Sequence, residues 1–246
     1  MAKTKLVNSI SRSVDIMEII AKGANRLQDI CQVVGLNKST THRLLKSLTF
    51  SGLIFQNPIN RQYYLGHMFL KLVSNPLVSH KMLTICAIDQ LRRLRDLSGE
   101  SAMIIIPNGT HRLVTKGISS NEKIAFFAAD GDIEPIHVGS SGKLLLSQFK
   151  EKEYEKILRT LELKSFGPNT ITDKDLLRQE VARIRIQKYA ISSGEAYKGA
   201  VGISVPVENY VCPVALCLQG PEFRFNPIDF LEELRKSSDA ISKNLK

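Results

Sequence analysis

The sequence predicts an α+β protein: a winged helix-turn-helix first, then a mixed domain of strands and helices. Three observations carry that expectation. Between Arg26 and Leu65 two short helical patterns flank a Gly turn and lead into a hairpin-like segment. Further on, strand-like runs give way to helical runs and then to strands again. An Asn108-Gly109 turn signal among them favours an antiparallel-leaning sheet over a doubly wound parallel one. Charge is also uneven: residues 1–75 hold 10 Lys/Arg against 3 Asp/Glu, whereas 76–246 hold 24 against 21.

Ser9 to Lys22 places Ile10, Val14, Met17 and Ile20 on one helical stripe, closed by Gly23. Leu27, Ile30, Cys31 and Val34 repeat the spacing, and Gly35 supplies the turn to the next helix. Asn37 is placed to cap that third helix, with Thr41, Leu44, Leu45 and Leu48 facing inward. Thr41 is a polar residue on an inward face; a bond from its hydroxyl to a carbonyl one turn earlier makes its burial tolerable. Leu53–Gln56 and Gln62–Leu65 read as the strands of a wing, joined by Asn57-Pro58-Ile59-Asn60.

Gly66 to Ser98 is helical with an interruption near Asn75-Pro76. The second part reads as a linker helix with apolar residues at Met82, Ile85, Cys86, Ile88, Leu91 and Leu94. The organisation expected is therefore 1–75 DNA-binding, 76–98 linker helix and 99–246 a second domain. In that domain Ala102–Pro107, Arg112–Gly117 and Ile124–Ala128 are strand-like. Gly142–Phe149, Glu151–Leu158 and Asp173–Gln187 are helical; Tyr189–Ser192, Gly202–Val207 and Pro213–Leu218 return to strand, and Pro227–Leu245 closes as a helix.

A net charge of +10 concentrated at one end fits a polyanion partner for that end better than general solubility. The face of the third helix opposite its apolar side carries Ser39, Thr40, His42, Arg43, Lys46 and Ser47. Arg43 can bond guanine O6 and N7 together, and Lys46 suits phosphate or guanine. Ser39 and Thr40 at the helix start suit phosphate, and Arg61 lies where a wing meets a backbone or minor groove. The competing reading is a solvated polar face on an ordinary helical hairpin.

No apolar run reaches the roughly 18 residues of a membrane span, and the N-terminus has no signal-peptide stretch, so a cytoplasmic protein without a membrane partner is expected. Four cysteines without CxxC spacing point to reduced thiols. The five histidines have no ligand spacing, so neither a metal nor another cofactor is expected. His137 reads best as a structural hydrogen-bonder. Ser140-Ser141-Gly142 precede a helical segment and suit either a carboxylate or phosphate, or a simple cap and turn.

Taken together, SRSVDIMEII, LQDICQVVGLNKSTTHRLLKSLTFSGLI and YYLG, followed by LRDLSGESA, PIHVGSSGKLLLS, KYAISSGEAYKGAVGISVPV and LQGP, resemble the IclR family of bacterial transcription regulators over nearly the whole chain. The resemblance implies a dimeric or tetrameric regulator with a GAF-like effector-binding domain. It also implies that Ser140, Ser141, Gly142, Ser192, Gly202, Cys217 and Gln219 face the ligand. Ser192 stands where an acidic residue is common, Gly202 where a Cys or other side chain sits, and Cys217 and Gln219 where serines are frequent. The pocket's ligand is then a small organic acid other than the family's best-known one.

The expected function is a ligand-responsive regulator of double-stranded operator DNA, with repressor and activator both open. The alternative is a thiol-dependent hydrolase using Cys217, His137 and Glu195, but no GxSxG, GxxxxGK or GxGxxG motif supports an enzyme. Glu195 reads as a loop or strand-end residue of the sensor domain.

Overall fold

The computed structural model describes residues 7–127 and 129–246. Lys3, Lys5 and the start of the expected DNA-binding domain lie outside them, as does Ala128, the end of an expected strand. The chain divides into two units, 1–79 and 80–246.

The first unit holds α1 (Asn8–Ala21), α2 (Leu27–Val34), α3 (Lys38–Phe50), β1 (Ile54–Gln56), β2 (Tyr63–Leu65), α4 (Met68–Val73) and α5 (Pro76–Ser79). Its core is Ile16, Ile20, Ile30, Val34, Leu45, Leu48, Ile54 and Tyr63. Gly35 closes α2 in the left-handed conformation at φ 63°, which only glycine adopts freely. The stripe expected on α1 holds in its second half, where Met17 is partly buried and Ile20 buried, but Ile10 and Val14 are exposed and Ile16 takes the inward place. Apolar residues nearly encircle α1, so periodicity alone leaves its buried face open; packing against α2 and α3 selects it.

The second unit starts with α6 (Lys81–Ser98), β3 (Ser101–Asn108), β4 (His111–Ile118), β5 (Ile133–Pro135), α7 (Gly139–Gln148), α8 (Glu151–Thr160) and α9 (Lys174–Gln187). It continues with β6 (Ala190–Ser193), β7 (Ala200–Pro206), β8 (Ala215–Pro221), a 3₁₀ turn (Pro227–Phe230) and α10 (Leu231–Asn244). The six strands run in the order β5-β4-β3-β8-β7-β6, every pair antiparallel. Alternation along each strand divides the core between two faces. Ala102, Ile104, Ile106, Leu216 and Leu218 pack with Leu83, Leu91, Leu94, Leu234 and Ile241 of α6 and α10. Met103, Ile105, Ala215 and Cys217 pack with Leu144, Leu145, Tyr154, Leu158, Leu177 and Val181 of α7, α8 and α9.

Two expectations change here. The segment expected as a linker helix is a core element of the second unit: Leu83, Ala87, Leu91 and Leu94 are fully buried, while Met82 and Ile85 face solvent. The strand expected at 124–128 does not form over 124–127; these residues make bends and loop, and β5 at Ile133–Pro135 pairs with β4 instead. Phe126 stacks on Tyr197 at 5.9 Å, so a tertiary contact outweighs the local strand preference. No helix among the described residues is long and apolar enough to cross a membrane.

Candidate DNA-binding surface and effector pocket

The start of α3 is fixed by Asn37, whose Oδ1 accepts from the Thr40 N–H at 2.9 Å and the Ser39 hydroxyl at 3.0 Å. One of the helix-start N–H groups expected to meet phosphate is therefore already bonded. Thr41 is fully buried, and its hydroxyl donates to the Asn37 carbonyl at 3.1 Å, which satisfies it one turn back. That leaves Ser39, His42, Arg43, Lys46 and Ser47 exposed on the far side, with Thr40 half-buried. No Asp or Glu occurs between Asp29 and Asp89, and neither Arg43 nor Lys46 makes a salt bridge among the described residues. Among the described residues these cations have no ion-pair partner to give up before meeting phosphate.

The wing is held by its own strand pairing, a ring contact and turn hydrogen bonds. β1 and β2 pair with Phe55 opposite Tyr64, their rings 5.5 Å apart. Asn57 Oδ1 accepts from the Ile59 N–H at 2.8 Å, and Tyr64 Oη donates to Gln62 Oε1 at 2.8 Å. Arg61 sits at the end of this turn with φ 59°, exposed.

In the second unit, strand register assembles most of the expected pocket. Ser192 lies opposite Gly202, and Gly202 opposite Gln219, in one row across β6, β7 and β8. The next row puts Ser204 beside Cys217. The start of α7 meets these rows: the Ser140 and Ser204 hydroxyls are 2.9 Å apart, and Ser140 Oγ is 3.8 Å from Cys217 Sγ. Ser140, Ser141, Ser192, Gly202, Cys217 and Gln219 line a cavity of about 20 Å³ together with Arg112. Gly142 does not line it. A Cβ there would lie 2.2 Å from the Ile136 carbonyl oxygen, so its role is close backbone packing.

Sequence reasoning missed two residues. Arg112 is 6% exposed, and its guanidinium pairs through Nη2 with Glu134, its register partner on β5. Lys143 is 2% exposed and donates to Glu195 Oε1 at 2.5 Å, Glu180 Oε1 at 3.1 Å and the Ile191 carbonyl at 3.2 Å. Glu195 also accepts from the Gly139 N–H at 3.1 Å and so ties the start of α7 to the β6–β7 loop. Burial pushes the Glu195 carboxyl above its ordinary range, against the pull of Lys143 and that N–H. Charged residues inside strand and helix segments were the available signal. Both elements are buried on several sides, so alternation could not show where those charges point.

The hydrolase arrangement does not assemble. Burial pushes the Cys217 thiol up, away from a reactive thiolate. Nε2 of His137 bonds the Lys164 carbonyl at 3.0 Å, and its ring lines a separate cavity of about 390 Å³. Glu195 is occupied by Lys143. Among the described residues no group of His, Cys, Asp and Glu is placed to hold a metal ion.

Comparison with known proteins follows the same division. The IclR helix-turn-helix domain matches residues 9–58, and the bacterial transcriptional regulator IclR C-terminal domain matches residues 76–243. The chain is 29% identical over 252 residues to the HTH-type transcriptional regulator XynR of Escherichia coli (strain K12), covering 98% of each. It is 25% identical over 233 residues to the repressor AllR of the same strain, covering 93% of this chain and 86% of AllR. Among solved structures, an IclR-family regulator from Rhodococcus sp. matches with a TM-score of 0.76 at 23% identity over 100% of both chains. An IclR homologue from Microbacterium hydrocarbonoxydans complexed with 4-hydroxybenzoate matches with a TM-score of 0.63 at 24% identity, covering 96% of this chain and 98% of that one. With the helix-turn-helix domain matched over 9–58 and the C-terminal domain over 76–243, the chain belongs to the IclR family of bacterial transcriptional regulators.

Proposed function

We propose that the protein is a cytoplasmic, effector-responsive regulator that binds a pseudo-palindromic operator as a homodimer or a dimer of dimers. The observation that carries the reading is the face of α3, where Arg43 and Lys46 stand exposed in a stretch without a single acidic residue. Two such helices, related by a two-fold axis, enter successive major grooves about one helical turn apart. Ser39, Thr40, His42 and Lys46 hold the helix to phosphates and base edges, Arg43 reads guanine, and Arg61 of the wing takes a phosphate.

The effector is a small organic acid held at Ser140, Ser141, Ser192, Gly202, Cys217 and Gln219. The complex of the Microbacterium hydrocarbonoxydans homologue with 4-hydroxybenzoate supports that class of ligand. The acid changes operator affinity by binding one arrangement of the DNA-binding units better than the other. Neither unit carries out catalysis in this reading, because Cys217 lacks an activating base.

Fluorescence anisotropy on the gene's own upstream DNA, with and without carboxylic acids, tests the whole reading. Sequence-specific binding that weakens with salt and shifts with one acid is the expected result. Salt-insensitive binding, or binding that no acid alters, would overturn it.

A further inference from the structure

Arg112 is more than nine-tenths buried, and its Nε has no hydrogen-bond partner among the described residues. A buried guanidinium N–H left unpaired costs free energy, so its persistence at a cavity wall points to a ligand that completes it. Glu134 engages only Nη2, and its carboxylate is in turn held by the Tyr197 hydroxyl at 3.0 Å. The edge that Nε shares with Nη2 is thus half used. A carboxylate meeting that edge bonds both N–H groups at once, which is the strong arrangement for arginine.

Arg112 stands between two chambers. One is the cavity of about 20 Å³ at the start of α7, with room for little more than a single oxygen-sized group. The other holds about 290 Å³ and shares Arg112 and Gln219 as walls. Its remaining lining includes Met103, Val114, Phe126 and Tyr197, with the last two rings stacked. Asp132 and Glu134 also face this larger chamber, so an anionic head is repelled there and drawn to the helix start, where Glu195 is neutralised by Lys143. With its carboxylate on Arg112, a two- or three-carbon acid leaves most of the larger chamber unused.

We propose that Arg112 binds the effector's carboxylate, and that the effector is an acid with a planar, largely apolar body, of the aryl- or arylalkanoate class. The proposal rests on reading this pocket as the effector site and adds its head-group residue and its ligand class. Glu134 is the partner that the ligand displaces from Nη2.

Calorimetric titration of the full chain with benzoate, phenylacetate, acetate, pyruvate and the neutral isostere benzamide tests it. The aryl acids are expected to bind, with benzamide and the short acids at least tenfold weaker. Arg112→Gln is expected to weaken the aryl acids about ten- to a hundredfold, the range of a charge-assisted bond pair. Glu134→Gln, which removes the competitor, is expected to tighten them. If Arg112→Gln fails to fold, judged by circular dichroism, the comparison of benzoate with benzamide on the natural chain still decides. Equal binding of those two, aryl acids that bind no tighter than pyruvate, or equal affinity in a folded Arg112→Gln variant would each overturn the proposal. In each of those cases, operator binding that still responds to some acid leaves the regulator reading standing, and anisotropy measured in parallel separates the two failures.

Discussion

Lys143 on α7 and Glu195 in the β6–β7 loop form a buried ion pair at 2.5 Å, and the pair fixes where the helix starts relative to the sheet. The ammonium also serves Glu180, so one cation compensates two carboxylates. Removing one partner of such a pair leaves uncompensated buried charge and typically costs about 3–5 kcal/mol. Lys143→Met is therefore expected to lower the stability of the second unit by that order, read by urea unfolding under circular dichroism. The double variant with Glu195→Gln should recover part of the loss. A single-variant loss below about 0.5 kcal/mol, the range of an ordinary surface substitution, would show that the pair is dispensable.

Glu195 gives this stability a pH dependence. Burial raises its carboxyl above the ordinary range, so the folded chain holds that proton more tightly than the unfolded chain does. Its contribution is fully present below the unfolded value and is lost as pH rises through the raised folded value. The stability of the natural chain relative to Glu195→Gln should therefore fall as pH rises above the unfolded carboxyl value near 4.3. Unfolding curves of both proteins on either side of that value check it, and a constant difference would contradict it.

Gly142 and Gly202 were both expected to face the ligand, and the structure separates their roles. A Cβ at Gly142 would press on the Ile136 backbone at 2.2 Å, which no side-chain movement relieves. Gly142→Ala is expected to destabilise the second unit by about 3 kcal/mol, at the upper end for overpacking. At Gly202 the nearest atoms would be Ser140 Oγ at 3.1 Å and the Leu218 carbonyl oxygen at 3.3 Å. Gly202→Ala should therefore keep the fold and narrow the pocket. Thermal unfolding beside acid binding distinguishes the two; equal melting temperatures for both variants would sink the distinction.

What the sequence made legible follows from how local each signal is. The cap at Asn37, the turn at Gly35 and the polar face of α3 depend on neighbours within one or two turns, and they form as expected. The buried face of α1 and the path of 124–127 depend on distant partners, and there the local pattern misleads. β5 escapes notice because it is three residues long and ends in Pro135. In the pocket, Ser192, Gly202 and Gln219 come from three strands whose register no periodicity reveals; only resemblance grouped them. Arg112 stayed hidden because β4 is covered on both faces, so a charge within it breaks no alternation.

Arg43 and Arg61 offer a test that separates reading from holding. Arg43 projects from α3, where a groove-bound helix presents side chains to base edges; Arg61 projects from the wing, where phosphates pass. Arg43→Ala is expected to cost about 1–3 kcal/mol on the operator and to relax preference at one base step, with little change on random DNA. Arg61→Ala should weaken operator and random DNA alike and reduce the salt slope by about 1, the signature of a lost phosphate contact. Arg61 also holds a left-handed backbone that costs a side chain roughly 1–2 kcal/mol, so Arg61→Gly should stabilise the wing while still losing that contact. Anisotropy on operator and scrambled duplexes at several salt concentrations, with a melting curve for each variant, measures all three. If Arg43→Ala weakens both duplexes equally, Arg43 is a phosphate contact, and base reading passes to His42 or Lys46 on the same face.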